Sequence, residues 1–214
     1  MKIITNQKII NRRSNVGFWS SMISPVVMVF GASLLFSNPE QVWQSLLILS
    51  VGYILYQIGL SFRRYGRGTN QELNKTLKKL GKDYSLYHFS TPVSHLLIGP
   101  AGVWLILPKY CKGTVTYNER RRRWRLTRPS LLTRIFFFLT EGIGNPAREL
   151  LGEADALDRF LIKNWERKEK IHVQAVVVCM LQACTVDAEN TPVPTLHLSK
   201  LRGFIRHQEQ ASNI

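Results

Sequence analysis

VSHLLIGPAGVWLILPK, residues 93–109, is the stretch on which the fold turns. Residues 93–98 form an apolar, strand-like run that ends at Gly99-Pro100, and residues 103–107, Val-Trp-Leu-Ile-Leu, form a second. The turn-forming Pro100-Ala101-Gly102 between them predicts two strands in succession. Upstream, residues 84–89 predict another strand, broken at Thr91-Pro92. Before it, Leu73, Leu77 and Leu80 recur at helical spacing, with Lys75, Lys78, Lys79 and Lys82 on the other faces and Gly81 as the stop. Downstream, short strands over 113–117 and 124–127 flank a turn at 118–123. Leu150, Leu151, Ala154, Leu157, Phe160, Leu161 and Trp165 keep helical spacing within a helix expected over 146–167. Residues 173–181 are a continuous apolar run, the pattern of a buried central strand. A last strand at 195–198 and a helix at 201–208 complete the chain. This order of elements predicts an α/β sandwich around a mixed central sheet. The apolar run 131–139 is too short to span a bilayer; it reads as a core element, the alternative being an interfacial segment resting on the membrane surface.

The N-terminal third has a different character. Residues 16–36, VGFWSSMISPVVMVFGASLLF, and 42–62, VWQSLLILSVGYILYQIGLSF, carry no charge. Each meets the roughly 20 apolar residues that cross about 30 Å of hydrocarbon. The polar link 37–41 makes them a helical hairpin, and a second span following at once argues against a cleaved signal peptide. Trp19, Trp43 and Tyr56 lie toward the span ends, as an interfacial aromatic belt requires. Gly31, Gly52 and Gly59 suit close helix packing. Lys2, Lys8, Arg12 and Arg13 precede the first span, Arg63, Arg64 and Arg67 follow the second, and the link has only Glu40. The positive-inside rule then puts both termini in the cytoplasm of a bacterial-type cell, with the chain in the inner membrane. The expected parts are an N-terminal cytoplasmic segment at 1–15, a two-helix transmembrane hairpin at 16–62 and a cytoplasmic α/β domain at 63–214.

Charge is concentrated in that domain. All but four of the 29 Lys and Arg, and all but one of the 14 Asp and Glu, lie after residue 62. Three cysteines, Cys111, Cys179 and Cys184, make no disulfide framework; with no CxxC and five scattered histidines, their spacing gives no metal motif.

Residues 93–109, with Lys112-Gly113 soon after, resemble the core of the nuclease-related domain (NERD) family. In that family a strand with an Ile-Asp-His-like start runs into Gly-Pro-x-Gly-Val. A second strand ends in Glu-x-Lys, and a Lys-Gly or similar pair follows. Gly144-Asn145-Pro146 opening a helix, and the Leu73, Leu77, Leu80 spacing, are similar to two further signatures, so the likeness runs over roughly 66–208. The resemblance implies the PD-(D/E)xK nuclease superfamily and a restriction-endonuclease-like fold, sometimes membrane-anchored. Its chemistry requires two carboxylates on Mg²⁺ or a similar hard ion, with a lysine to stabilise charge. Matched residue by residue, the strand aspartate falls on Ser94, the glutamate of Glu-x-Lys on Leu107 and the first-helix glutamate on Asn70, two residues from Glu72; only Lys109 keeps its type. This implies a degenerate, non-catalytic member with no metal ligands at those positions. Mg²⁺ or Mn²⁺ would enter only if acids such as Glu119, Glu141 or Asp83 had taken over.

The remaining feature is the run Arg120-Arg121-Arg122-Arg123-Trp124-Arg125, on an expected hairpin tip with Arg128 and Arg134 close behind. Such a cluster attracts phosphates, and an exposed Trp124 would stack on a base; the competing reading makes Trp124 an inward strand residue. The sequence therefore predicts a polyanion binder using Arg120, Arg121, Arg122, Arg123, Trp124, Arg125, Lys109 and Lys112, its ligand nucleic acid or anionic lipid. The alternatives are a metal-dependent nuclease with relocated acids and a membrane scaffold that docks a protein partner.

Overall fold

The computed structural model describes residues 1–37, 39–63, 68–127, 142–165, 172–188 and 190–212. It divides into two compact units, residues 7–70 and residues 1–6 with 71–214. The first is a helical hairpin, α1 (Gln7–Ser37) and α2 (Val42–Arg63), joined through a 3₁₀ turn at Pro39–Gln41. Both helices are long and apolar enough to cross a membrane. The buried positions of α1 are Ile10, Gly17, Ser24 and Gly31, seven residues apart, and those of α2 include Ser45, Gly52 and Gly59, again seven apart. Small residues at this period let two backbones approach closely in apolar surroundings. A Cβ on Gly59 would lie 2.6 Å from Ser21 Oγ and 2.9 Å from its backbone N.

The second unit is built on a six-stranded mixed sheet in the order β1-β2-β3-β4-β7-β9. The strands are β1 (Lys2–Thr5), β2 (Ser85–His88), β3 (His95–Gly99), β4 (Gly102–Lys109), β7 (Val173–Cys179) and β9 (Thr195–His197). β2, β3 and β4 form an antiparallel meander, while β1–β2, β4–β7 and β7–β9 pair in parallel. Successive side chains of a strand point to opposite faces. Trp104 and Ile106 of β4 join Val176 and Val178 of β7 against α3 (Thr69–Leu77) and α5 (Leu198–Ser212), through Leu73, Leu77, Leu201 and Ile205. Leu105, Leu107 and Val177 face the other way, onto Leu150, Leu157 and Leu161 of α4 (Pro146–Trp165). A smaller sheet, β6-β5-β8, is made by β5 (Gly113–Asn118), β6 (Arg123–Thr127) and β8 (Cys184–Asp187).

The α/β class and the mixed sheet agree with the sequence reading, and the differences are informative. Residues 1–6, expected to be a separate segment, belong to the α/β unit: β1 lies beside β2, with Lys2 N–H on the Tyr84 carbonyl (2.8 Å) and Asn6 N–H on that of His88 (3.0 Å). Its Ile3-Ile4-Thr5 run is β-branched and suits a strand. β8 is a second unexpected strand. The apolar run 131–139, with Arg128, Arg134 and Glu141, lies outside the described residues, as do Arg64 and Arg67.

A buried polar pair ties β2 to β3. His88 and His95 lie opposite each other, both fully enclosed, with Nδ1 atoms 2.8 Å apart. His88 Nε2 donates to Asn74 Oδ1 at 2.9 Å, which leaves His88 Nδ1 to accept from His95. Burial pushes His88 down to about 4 from the ordinary 6.5. Between those values the unfolded chain takes up a proton that the folded one refuses, so stability falls as pH drops through this window. The loss on going from about pH 7 to about pH 4 is expected to be roughly 3 kcal/mol. Denaturant midpoints of the detergent-purified chain should show it, and His88→Gln should flatten the dependence.

Candidate functional site

The β3–β4 hairpin presents the family-like positions at one edge of the helix α4. Gly99 ends β3 where the ring of Tyr84 occupies the space a Cβ would need, and Gly102 opens β4 at φ +96°, a conformation that favours glycine. Trp104 is fixed by its indole N–H on the Ala101 carbonyl at 2.8 Å. Ser94, just before β3, donates its hydroxyl to Glu153 Oε1 at 3.2 Å. Lys109, the last residue of β4, is only 6% exposed, and its Nζ contacts both Glu149 oxygens at 2.9 and 2.8 Å. Leu107 lies in the apolar cluster under α4.

Glu149 and Glu153 are one turn apart on α4, so they share a face. Pro146 starts that helix, and Asn145 caps it, its side-chain oxygen accepting from Arg148 N–H at 3.3 Å. Glu153 is held above the usual carboxylate range: burial is the main cause, the Glu149 charge adds to it, and the Ser94 hydrogen bonds and Lys109 oppose it. Its Oε2 is buried with no hydrogen-bond partner among the described residues. The result is a buried ammonium forked onto one carboxylate, with a second carboxyl and a hydroxyl beside it.

Among the described residues, this arrangement offers a hard divalent ion a poor set of ligands. Leu107 has no donor atom and Ser94 offers only a neutral hydroxyl. Both oxygens of Glu149 are engaged by Lys109, and Glu153 is held above the usual carboxylate range. Asn70, at the first-helix position, is 5% exposed, and its amide atoms have no hydrogen-bond partner among the described residues. Glu119, on the β5–β6 turn, and Asp83 are both exposed. Among the described residues, Glu149 and Glu153 lie beside Lys109, and the sequence reading did not single them out. Their signal was present: Glu153 falls on the stripe of Leu150, Leu157 and Leu161 that faces the core.

The arginine cluster has the expected form. β5 and β6 pair antiparallel, Asn118 opposite Arg123, and the turn between them holds Arg122 at φ +48°. Asn118 Oδ1 accepts from Arg121 N–H at 2.9 Å. Arg120, Arg121, Arg122, Arg123 and Arg125 are exposed, as is Lys112. Two of the eight predicted ligand-binding residues are withdrawn. Trp124 is 7% exposed, packs on Tyr117 at a centroid distance of 4.8 Å and donates its indole N–H to Thr195 Oγ1 at 3.3 Å, so it has no face for a base. Strand alternation turns it inward between Arg123 and Arg125. Lys109 is neither solvated nor free to bind phosphate, because Glu149 neutralises it in a buried position.

The model of the nuclease-related domain (NERD) family matches residues 66–180, over half of the chain, and the chain belongs to that family. No curated protein and no solved structure matches it. The α/β unit with its mixed sheet is consistent with the restriction-endonuclease-like architecture the family implies.

Two substitutions test the ion-pair site. Lys109→Met leaves Glu149 and Glu153 without their cation and is expected to cost about 1–3 kcal/mol, allowing for the partial exposure of Glu149. Glu153→Gln should act in the opposite sense as pH rises. With a raised folded pKa, the wild type loses stability above the ordinary carboxylate range, whereas the amide does not. The advantage of Glu153→Gln in denaturant midpoint should therefore grow as pH rises above the ordinary carboxylate range.

Proposed function

We propose that this chain is a membrane-anchored member of the NERD family that holds nucleic acid without cutting it. The observation that carries the proposal is the tip of the β5–β6 hairpin, where five exposed arginines surround a turn. Such a cluster sets up a positive field, and phosphate contacts by Arg release counterions from nucleic acid. With Trp124 enclosed, readout is by backbone charge and not by base stacking, so little sequence preference is expected. The absence of catalysis is argued from Lys109, whose charge is committed to Glu149, and from the apolar Leu107 at an acid position of the family.

The anchor is the α1–α2 hairpin. Residues 1–6 and 71–214 fold as one unit, so the chain enters and leaves the hairpin through the same unit. Together with the flanking Lys and Arg, this supports a cytoplasmic α/β unit on an inner membrane.

One observation favours a second reading, a nuclease with relocated ligands: the buried, unpartnered Glu153 Oε2 next to Glu149. The test covers both. Labelled single- and double-stranded DNA and RNA are titrated with the full chain in nanodiscs of neutral lipid, over a range of salt, with Mg²⁺ or Mn²⁺ present. Products are then resolved on a gel. Binding should weaken steeply with salt and leave the substrate intact. Replacing Arg120, Arg121, Arg122, Arg123 and Arg125 by Gln should reduce the single-strand salt slope by about 0.7 for each phosphate no longer neutralised. Trp124→Phe should leave it unchanged. Metal-dependent cleavage that Glu149→Gln or Glu153→Gln abolishes would establish the second reading. Binding only to vesicles of anionic lipid would replace nucleic acid by the membrane surface.

A further inference from the structure

Three thiols that lie far apart in the sequence meet at one point. Cys111 lies in the link from β4 to β5, Cys179 ends β7 and Cys184 begins β8. β4 pairs in parallel with β7, Lys109 opposite Cys179, and β5 pairs in parallel with β8, Gly113 opposite Cys184. The chain thus crosses from the larger sheet to the smaller one twice, side by side, and the cysteines sit on that seam. Backbone bonds fix it: Met180 N–H to the Lys109 carbonyl, Gly113 N–H to that of Ala183 and Cys184 N–H to that of Leu181, each 3.0 Å. Cys111 Sγ is 3.6 Å from Cys179 Sγ and 3.4 Å from Cys184 Sγ, and all three sulfurs lie within 4.8 Å of one another. All are buried, unoxidised and surrounded by Val115, Trp124 and Ile143.

We propose that Cys111, Cys179 and Cys184 form a trithiolate site for a thiophilic closed-shell cation of the Zn²⁺, Cd²⁺ or Cu⁺ class, which staples the two sheets together. A metal–sulfur bond of about 2.3 Å sets the sulfurs of a regular three- or four-coordinate set roughly 3.8–4.0 Å apart, so shifts of about half an ångström close the site. The donor set is sulfur alone, which favours soft ions over Mg²⁺, Ca²⁺ or Mn²⁺. This separates it from the acid pair at Lys109. Three thiolates enclosed by apolar side chains require a cation, whereas three thiols do not. Binding of a divalent ion is therefore M²⁺ + 3 RSH → M(SR)₃⁻ + 3 H⁺, with no change of oxidation state, and it releases protons.

The full chain, purified metal-free in detergent with a phosphine reductant, is titrated with Cd²⁺, and separately with Zn²⁺ and Cu⁺. The thiolate-to-cadmium ultraviolet absorption should rise linearly and break at one equivalent, with proton release and a higher melting temperature. Excess Zn²⁺ or Cu⁺ should displace Cd²⁺ or match its break. Cys111→Ser, Cys179→Ser and Cys184→Ser should each remove the break. Because such variants risk misfolding, the wild-type titration stands by itself: no break at one equivalent with any of the three ions overturns the proposal. A break that survives in all three variants overturns it equally.

Discussion

Seven residue pairs of parallel β-structure, from Val103 opposite Val173 to Lys109 opposite Cys179, hold the α/β unit together. β4 and β7 are neighbours within the six-stranded sheet, and their side chains supply both faces of the core: Trp104, Ile106, Val176 and Val178 to one, Leu105, Leu107 and Val177 to the other. A parallel pair needs both faces covered, which α3 and α5 do on one side and α4 on the other. The same pairing places Lys109 under α4 and brings the β4–β5 and β7–β8 crossings together. Lys109 and the cysteine seam are therefore consequences of one register. A one-residue slip would turn Lys109 away from α4 and break the seam as well.

At the positions that match the family motif, the described residues form a buried ion pair. A buried ammonium is tolerated only with a partner, and Glu149 supplies one with both oxygens. The pair neutralises the charge that a nuclease would direct at a phosphate. Glu153 completes the enclosure by accepting from Ser94, and its burial, against the pull of Ser94 and Lys109, holds its carboxyl above the usual range. The exposed arginines lie on the β5–β6 tip, on a different sheet from the buried lysine.

Much of this architecture is legible in the sequence where the cause is local. The two spans follow from composition, β4 and β7 from unbroken apolar runs, and the inward turn of Trp124 from alternation with Arg123 and Arg125. What is not legible depends on partners far along the chain. β1 lies just before the first apolar helix, and only its pairing with residues 85–88 makes it a strand. Glu149 and Glu153 meet Lys109 and Ser94 across 40 and 59 positions, so motif matching at Ser94 and Leu107 registered the lost acids and not the ones that arrived. The three cysteines carry no local signal at all; only the register of β4 on β7 and of β5 on β8 groups them.

If the Lys109–Glu149 pair closes the family site, the chain takes up no hard divalent ion there. Electron paramagnetic resonance of Mn²⁺ reads this out, by following the free-ion signal while the full chain in detergent is titrated. Wild type is expected to leave the Mn²⁺ signal undiminished, and Ser94→Asp with Leu107→Glu, which restores the two strand acids, is expected to take up the ion. Stoichiometric loss of the signal with the wild type, recovered in Glu149→Gln or Glu153→Gln, would contradict closure of the site.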